Sequence, residues 1–386
     1  MRALPGLTIR NSGGYSPMAR ALMLAFALIC AIMVPIAPVH AQGEMAEAAQ
    51  APAVYRPRLN FTGDTKTDFA LVNISANPST PITWKVLRNP APTAPGAAFI
   101  RYFDFGTTSA TAPTGNDVVT SFDYDGNGFN EIVIWRAGVY YSAPFPESGA
   151  PFGALTYTYW GGPPSVDNLG RDGDYDGDGK VDYTTVRLSG GFLTWIINLS
   201  TGGTRTIPFG RTSVTETNTF PYPGADFTGD GRDELVYCTT STSTGNSSWY
   251  IGDAVTGAQI LGVKNYGNWI TDYFLQPDDY NGDGKADIVV MRSGGSGPDA
   301  AGWFIRDTAT GQTIPPVIFG IADPAFTNGD VPCRGNYDGD QKADICVWRP
   351  STSTFYWLRS SDGVLGAQQW GVPTATEFPL AIQWVF

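Results

Sequence analysis

Short apolar segments recur along this chain about every fifty residues, and their length and flanking residues are typical of β-strands. One clear unit has an apolar run at residues 287–292, a Gly/Ser-rich segment, and a second apolar run at 303–307. A Thr310–Gly311 turn leads to a third run at 313–319. With the short extended stretch that opens the unit, this pattern predicts four strands separated by turns, and it leaves no room for a helix of ordinary length.

The other units carry the same landmarks. The run equivalent to residues 287–292 occurs at residues 69–72, 132–136, 183–187, 235–237 and 345–349. The next strand is marked by an aromatic residue, which is Trp84, Tyr140, Trp195, Trp249 or Trp357. Each unit closes with an aromatic–glycine pair: Phe105–Gly106, Trp160–Gly161, Phe209–Gly210, Tyr266–Gly267, Phe319–Gly320 and Trp370–Gly371.

Six such units predict an all-β fold, a β-propeller of four-stranded antiparallel blades over residues 54–386. Six blades are expected, with seven as the alternative if both chain ends assemble a further blade. We expect residues 378–386 to close the ring against the N-terminal blade. The tryptophans are interpreted as core between blades, because a single sheet cannot bury both faces alone. A surface on which sugars stack is the alternative for them.

Each unit also contains a nine-residue acidic segment of the form Asp-x-Asp-Gly-Asp-Gly-x-x-Asp or a close variant, which we number loops 1 to 6. Side-chain oxygens at positions 1, 3, 5 and 9 are the ligands that calcium prefers, and glycine at positions 4 and 6 permits the turn. Magnesium is less suited, because it keeps several waters. The predicted ligands are Asn60, Thr62, Asp64 and Asp68; Asp123, Asp125, Asn127 and Glu131; Asp174, Asp176, Asp178 and Asp182; Asp226, Thr228, Asp230 and Glu234; Asp279, Asn281, Asp283 and Asp287; and Asn336, Asp338, Asp340 and Asp344.

The loops are expected to differ in affinity. Loop 3 has four carboxylates and should bind calcium most tightly, whereas loop 1, at residues 60–68, has two and should be the weakest of up to six sites. Thr65 replaces the second glycine of loop 1, and Gln341 replaces that of loop 6, where it should strain the turn. The ions are expected to be structural, because each would hold a hairpin within its own blade.

These loops, the closing pairs and the run Trp348-Arg349-Pro350 resemble the FG-GAP/VCBS repeat family, whose members include the heads of integrin α chains. The resemblance covers roughly residues 54–386. It implies an extracellular β-propeller with structural calcium that serves in binding or adhesion, and it identifies no ligand.

Residues 1–41 have the features of a secretory signal peptide, with arginines before an apolar core and a small-residue cleavage site at 39–41. A retained membrane anchor is the alternative, which Pro35 disfavours. Residues 42–53 are expected to be a flexible lead-in. Cleavage predicts a secreted, periplasmic or cell-surface protein of bacterial type, not inserted in the membrane.

Removing the signal peptide takes away the sole histidine and three arginines, so the formal charge changes from −12 to −15. A chain without histidine lacks the commonest general base and a Ser-His-Asp triad. The acidic balance disfavours nucleic acid as a partner. Half of the 36 acidic residues lie at the predicted ligand positions, which itself indicates a requirement for cations.

Three cysteines remain. Cys333 and Cys346 flank loop 6, and in an exported protein a disulfide between them is the favoured interpretation, with two buried thiols as the alternative. Cys238 is expected to be a small core residue.

Because strands alternate in direction, all acidic loops should lie on one face of the disc. The opposite face should carry the irregular segments 73–81, 239–248, 293–302 and 350–354, rich in Ser, Thr, Gly and Asn and suited either to recognition or to simple turns. The predicted function is a calcium-stabilised binding or adhesion module for an extracellular protein or polysaccharide, and not an enzyme. The alternatives are a calcium-dependent lectin and a polysaccharide lyase or hydrolase.

Overall fold

The computed structural model describes residues 58–74, 80–89, 100–107, 117–136, 138–145, 155–162, 167–169, 171–212, 218–293, 299–323, 329–373 and 376–380. The predicted signal peptide and lead-in lie outside these ranges. Within them the regular secondary structure is almost entirely β-strand, and no helix is long and apolar enough to cross a membrane.

Twenty-four strands form six four-stranded antiparallel sheets, which are the six blades of a β-propeller. Blade 1 contains β1 (Phe69–Asn73), β2 (Pro81–Leu87), β3 (Ile100–Thr107) and β24 (Glu377–Pro379). Blade 2 contains β4 (Val118–Thr120), β5 (Ile132–Arg136), β6 (Val139–Ala143) and β7 (Thr156–Tyr159). Blade 3 contains β8 (Asp167–Leu169), β9 (Tyr183–Ser189), β10 (Phe192–Asn198) and β11 (Thr204–Arg211).

Blade 4 contains β12 (Asn218–Ala225), β13 (Glu234–Thr240), β14 (Ser247–Gly252) and β15 (Gln259–Val263). Blade 5 contains β16 (Asp272–Phe274), β17 (Ile288–Ser293), β18 (Asp299–Arg306) and β19 (Thr313–Ala322). Blade 6 contains β20 (Val331–Cys333), β21 (Ile345–Arg349), β22 (Thr354–Leu358) and β23 (Leu365–Gln369). The six-blade prediction is confirmed, and the seven-blade alternative is wrong, because both chain ends contribute to blade 1.

The ring closes through the last strand. β24 pairs antiparallel with β1, with Val72 opposite Phe378 and Asn73 opposite Glu377. The buried Glu377 carboxylate forms an ion pair with Lys85 on β2 and accepts a hydrogen bond from the Val372 amide at 2.7 Å. The predicted closing strand is therefore confirmed over 377–379, and residues 381–386 lie outside the described part.

The hydrophobic core lies between neighbouring blades. Trp195 of blade 3, for example, shares a buried cluster with Leu235 of blade 4, and Phe69 of blade 1 stacks on Tyr337 of blade 6 with ring centroids 5.6 Å apart. Trp84, Trp195 and Trp249 are fully buried, as predicted, whereas Trp357 is only partly buried. Trp84, Trp195 and Trp249 are thus core, and they offer no surface for stacking sugars.

Several predicted boundaries need correction. The irregular segment 239–248 shrinks to 241–246, because β13 extends to Thr240 and β14 begins at Ser247. In blade 5, β18 begins at Asp299 rather than at Trp303. Asn73, Pro81 and Thr354 also belong to strands. These residues belong to strands because they pair with a neighbouring strand, as Thr240 does with Ser247. Their polar side chains gave no sign of that pairing in the sequence.

The favoured disulfide is not formed. Cys333 and Cys346 lie directly opposite each other on β20 and β21, as the sequence suggested, but both are free, fully buried thiols. They belong to the same hydrophobic cluster, so they behave as small core residues. Cys238 is also buried, in the core between blades 4 and 5.

Candidate functional site

Loops 2 to 6 each join the first and second strands of their blade, whereas loop 1 leads directly into β1, because the first strand of blade 1 is β24. In each loop the first residue organises the turn. In loop 3 the Asp174 carboxylate accepts hydrogen bonds from the amides of Gly177, Asp178 and Gly179 at 2.7–3.1 Å. Loops 2, 4 and 5 repeat the arrangement from Asp123, Asp226 and Asp279. Gly177 and Gly179 have φ angles of +79° and +101°, a region that disfavours a β-carbon.

The last residue of each loop is a buried acid that is hydrogen-bonded to the backbone at the start of the loop. Its carboxylate accepts a hydrogen bond from the amide of position 2, which is Tyr175 in loop 3, at 2.9 Å. The same bond recurs in all six loops, from Phe61, Tyr124, Tyr175, Phe227, Tyr280 and Tyr337 to Asp68, Glu131, Asp182, Glu234, Asp287 and Asp344. An aromatic residue at position 2 of every loop is a sequence signal that our prediction overlooked.

Burial strongly perturbs these position-9 carboxyls. It raises the pKa of Glu131, Asp182, Glu234 and Asp287 to about 8, that of Asp68 to about 7 and that of Asp344 to about 6. For Asp182 the neighbouring charges of Asp176 and Asp174 add to the effect of burial. A carboxyl held away from water beside like charges favours either a proton or a cation.

The six loops differ in how many carboxylates they bring together. In loop 2 oxygens of Asp123, Asp125 and Glu131 lie within 4.8 Å of one another. In loop 3 the same is true of Asp174, Asp176 and Asp182, whereas Asp178 turns aside to accept a hydrogen bond from the Ser200 hydroxyl at 2.7 Å. Loop 3 therefore joins three of its four predicted carboxylates. Loop 2 joins equally many, although its sequence did not single it out.

No comparable group of three occurs in the other loops, all of which the structure describes, and several of their acidic side chains have other partners. Asp230 of loop 4 pairs with Arg232 at 2.9 Å. In loop 6, Asp338 accepts from the Ser361 hydroxyl and Asp340 from that of Ser360. Gln341 there has a φ of +74°, which is the strained turn that the sequence predicted.

Loop 1 places a donor where a cation would need an acceptor. The Asn60 amide nitrogen donates to the backbone carbonyls of Asp64 and Gly128, and Asp68 accepts from the Thr62 hydroxyl at 3.3 Å. Asp64 lies 3.7 Å from Arg88, which already balances its charge. In loop 5 the Asn281 amide likewise donates to Asp287 at 3.4 Å, leaving Asp279 and Asp283 as the remaining carboxylates.

Backbone hydrogen bonds connect the six loops to one another in a closed circle. The amide of position 8 in each loop donates to the carbonyl of position 1 in the preceding loop, at 2.6–2.9 Å. The pairs are Thr67 to Asn336, Asn130 to Asn60, Val181 to Asp123, Asp233 to Asp174, Ala286 to Asp226 and Ala343 to Asp279. All six loops therefore lie together on one face of the propeller. We call this arrangement the loop ring.

A repeated ion pair joins the first two strands of three blades nearer the opposite face. In blades 2, 5 and 6 a buried aspartate on the first strand, or just before it, forms a bidentate ion pair with an arginine on the second strand. The pairs are Asp117 with Arg136, Asp272 with Arg292, and Asp330 with Arg349, at 2.5–2.8 Å. Asp272 and Asp330 also accept an amide hydrogen bond from the residue after the closing glycine. The signal was an aspartate 19 or 20 residues before each arginine.

Replacing Asp330 by alanine is expected to lower the free energy of unfolding by about 2 kcal/mol, because Arg349 and the Ile321 amide lose their shared acceptor. Chemical denaturation measures the change. The matched control is Asp362→Ala, which removes an exposed ion pair with Arg359 and should cost less than about 1 kcal/mol. Equal effects of the two substitutions would contradict the role given to Asp330.

Blade 4 has two threonines in place of this ion pair. Thr219 and Thr239 lie directly opposite each other at the positions that aspartate and arginine occupy elsewhere. Their hydroxyls have no hydrogen-bond partner within the described part of the chain. Blade 4 thus differs from blades 2, 5 and 6 near the face opposite the loop ring.

Comparisons with known proteins give only distant structural similarities. No protein-family model matches the chain, and no curated protein matches it in sequence. Among solved structures, the WD40 domain of Toxoplasma gondii coronin has a TM-score of 0.38 and 11% identity, covering 84% of this chain and 75% of that one. A protein from Lactobacillus plantarum has a TM-score of 0.37 and 14% identity, covering 80% and 97%. The V. cholerae biofilm matrix protein Bap1 has a TM-score of 0.24 and 12% identity, covering 86% and 61%.

Proposed function

We propose that this protein is an exported, calcium-stabilised β-propeller that binds an extracellular polysaccharide or protein. The observation that carries the calcium part is the convergence of three carboxylates in loop 2 and again in loop 3. Each group includes a buried acid whose pKa burial raises to about 8. Concentrated negative charge in partly buried turns is stabilised by a divalent cation with oxygen ligands, which is the chemistry of calcium sites.

The residues present fit calcium in loops 2 and 3 better than in loop 1, where an asparagine amide donates into the turn. Asp123, Asp125 and Glu131 would hold one ion, and Asp174, Asp176 and Asp182 another. An ion at either loop would neutralise the acids and fix the turn. The family resemblance in sequence supports the same assignment, as it does an extracellular, periplasmic or cell-surface location.

Counting bound calcium tests this assignment. The purified protein is expected to retain ions at loops 2 and 3 after gel filtration, and Asp174→Asn combined with Asp176→Asn should remove one of them, as measured by elemental analysis. Asp253→Asn is the control, because that side chain caps a turn outside the loops and asparagine preserves its role. A protein without bound calcium, or an unchanged ion count in the double variant, would refute the assignment.

The binding role is supported by the architecture of the face opposite the loop ring. There the 241–246 turn, Ser-Thr-Ser-Thr-Gly-Asn, is rich in hydroxyl and amide groups, which suit recognition. A glycan array, followed by analysis of the saccharides for new reducing ends, separates the possible functions. Retention of intact saccharide supports a binding module, whereas release of shortened products would identify a hydrolase or lyase instead.

A further inference from the structure

Trp269 is the most exposed tryptophan in the described part of the chain. Its side chain is 40% exposed, whereas the repeated tryptophans are fully or largely buried. It lies in the segment between β15 and β16, two residues after the closing glycine of blade 4. The equivalent residues of the other units are Thr108, Pro163, Thr212, Ala322 and Pro373, so this tryptophan is not part of the repeat.

The indole is held in a fixed position. It stacks on Phe220 of β12, with ring centroids 5.4 Å apart and planes 17° apart. The Trp269 amide donates to the Gly245 carbonyl at 2.9 Å, and the Asn268 side chain donates to the Thr244 carbonyl at 3.0 Å. An aromatic ring that is ordered before a ligand arrives loses little conformational freedom on binding.

Gly245 permits this close approach. It has a φ of +75°, and a β-carbon there would lie 2.5 Å from the Asn268 side-chain oxygen and 2.8 Å from Ile270. The turn at 241–246 and the segment at 268–270 therefore form one continuous surface.

The 241–246 turn carries polar but uncharged side chains. Ser243, Thr244 and Asn246 are exposed beside the indole, and Ile270, which is 53% exposed, extends its apolar surface. Asp272, three residues after Trp269, is already paired with Arg292. A flat aromatic surface with a rim of hydroxyl and amide groups matches a sugar ring, which has an apolar face of C–H groups and hydroxyls around its edge.

We propose that Trp269 and the 241–246 turn form a binding site for a neutral pyranose unit of a polysaccharide. This rests on the proposed binding function and names its ligand class. The sugar face stacks on the exposed side of the indole, opposite Phe220, and its hydroxyls bond to Ser243, Thr244 and Asn246. No loop-ring residue belongs to the site, so sugar binding does not require calcium as a ligand.

The test is the affinity of the purified protein for neutral hexasaccharides of glucose, mannose and galactose, followed through tryptophan fluorescence. We expect one of them to bind with a shift in emission. Trp269→Ala should weaken binding at least tenfold, because the sugar loses the ring on which it stacks. Tyr159→Ala is the matched control, because this side chain is 79% exposed on blade 2 and should leave affinity unchanged.

Two further measurements keep the result interpretable. Trp269→Phe retains an aromatic ring, so it should bind measurably but without the emission shift. Excess EDTA, below the melting temperature, should leave the affinity of the wild-type protein unchanged. Equal affinity of wild type and Trp269→Ala for a bound sugar would overturn the site while leaving the binding function intact.

Failure of the wild type to bind any neutral saccharide would also overturn the site. If it then binds a purified extracellular protein, the partner is a protein and the proposed binding function survives. Loss of sugar binding in EDTA would favour a calcium-dependent lectin and overturn the site at Trp269.

Discussion

The ion-free protein is expected to lose thermal stability as the pH rises from 5 to 8, and calcium is expected to reverse that loss. The position-9 carboxyls cause this dependence. In the folded chain the pKa of Glu131, Asp182, Glu234 and Asp287 is about 8, whereas an acid in the unfolded chain titrates near 4.

The sign follows from proton binding. Between pH 4 and pH 8 the folded state holds more protons than the unfolded state, so the free energy of unfolding falls as the pH rises. The stabilisation by these groups is complete below about pH 4 and lost as the pH passes through about 8. Calcium binds the ionised carboxylates, so it competes with protons and stabilises the protein most at pH 8.

The stabilisation by calcium can be approximated from the number of sites and their occupancy. A site at a calcium concentration ten times its Kd adds about 1.4 kcal/mol, so the two proposed sites in loops 2 and 3 together add about 3 kcal/mol. In a protein of this size that corresponds to a shift in Tm on the order of 5–10 °C. Differential scanning calorimetry at pH 5 and pH 8, with calcium or with EDTA, measures both effects.

The control for this experiment is the double variant Asp174→Asn and Asp176→Asn. It removes two charges that raise the pKa of Asp182, so its Tm should respond less to both pH and calcium. Identical melting in calcium and EDTA at pH 8, or an ion-free protein that is more stable at pH 8 than at pH 5, would contradict the expectation.

Trp195→Ala is expected to lower the free energy of unfolding by about 3–5 kcal/mol, the range for removing a large aromatic side chain from a core. Trp195 is fully buried between blades 3 and 4, and its indole nitrogen donates to the Phe209 carbonyl at 3.0 Å. Trp84, Trp249 and Trp303 make the same bond to the closing aromatic of their own blades, at 2.9–3.0 Å. In these four blades the bond links the landmark tryptophan to the closing aromatic residue.

Urea denaturation provides the measurement, and two variants separate the contributions. Trp195→Phe keeps most of the apolar volume but leaves the Phe209 carbonyl without its donor, so it should cost about 1–3 kcal/mol. Trp269→Ala is the matched control, because a tryptophan that is 40% exposed and stacked on Phe220 should contribute only about 1 kcal/mol. Similar midpoints for Trp195→Ala and Trp269→Ala would show that the repeated tryptophans are not the core between blades.

The fold was predictable because the sequence repeats. Where every unit needs the same backbone conformation or the same packing, it has the same type of residue. The closing glycines illustrate this, since all six have φ between +88° and +111°, a region that an L side chain rarely adopts. The ring closure at Glu377–Pro379 was predictable for a similar reason, because an apolar stretch stood where the next first strand belonged.

The placement of the loops on one face was predicted, but the hydrogen bonds that join them into the loop ring could not be predicted from sequence. Position 8 is occupied by Thr67, Asn130, Val181, Asp233, Ala286 and Ala343, which share no side-chain chemistry. The contact is made by the backbone amide, which every one of these residues has, so it leaves no signature. The partner of Asp178 was equally hidden, because Ser200 lies 22 residues away on a turn of the same blade.

Trp269 was missed for the opposite reason. It lies outside the repeat, and the sequence of a single tryptophan followed by an isoleucine does not indicate whether the tryptophan is buried or exposed. The cysteine pair shows a third limit. Its cross-strand register was deducible from spacing around loop 6, but the oxidation state was not.

The loop ring has a consequence for how the molecule comes apart. In an open row of repeats the terminal units have one neighbour each, so they fray first and unfolding spreads inward. Here six amide-to-carbonyl bonds return to their starting point, and the first and last loops meet through Thr67 and Asn336. A disc without a free end has no place from which to unravel, so its blades should melt together in a single step.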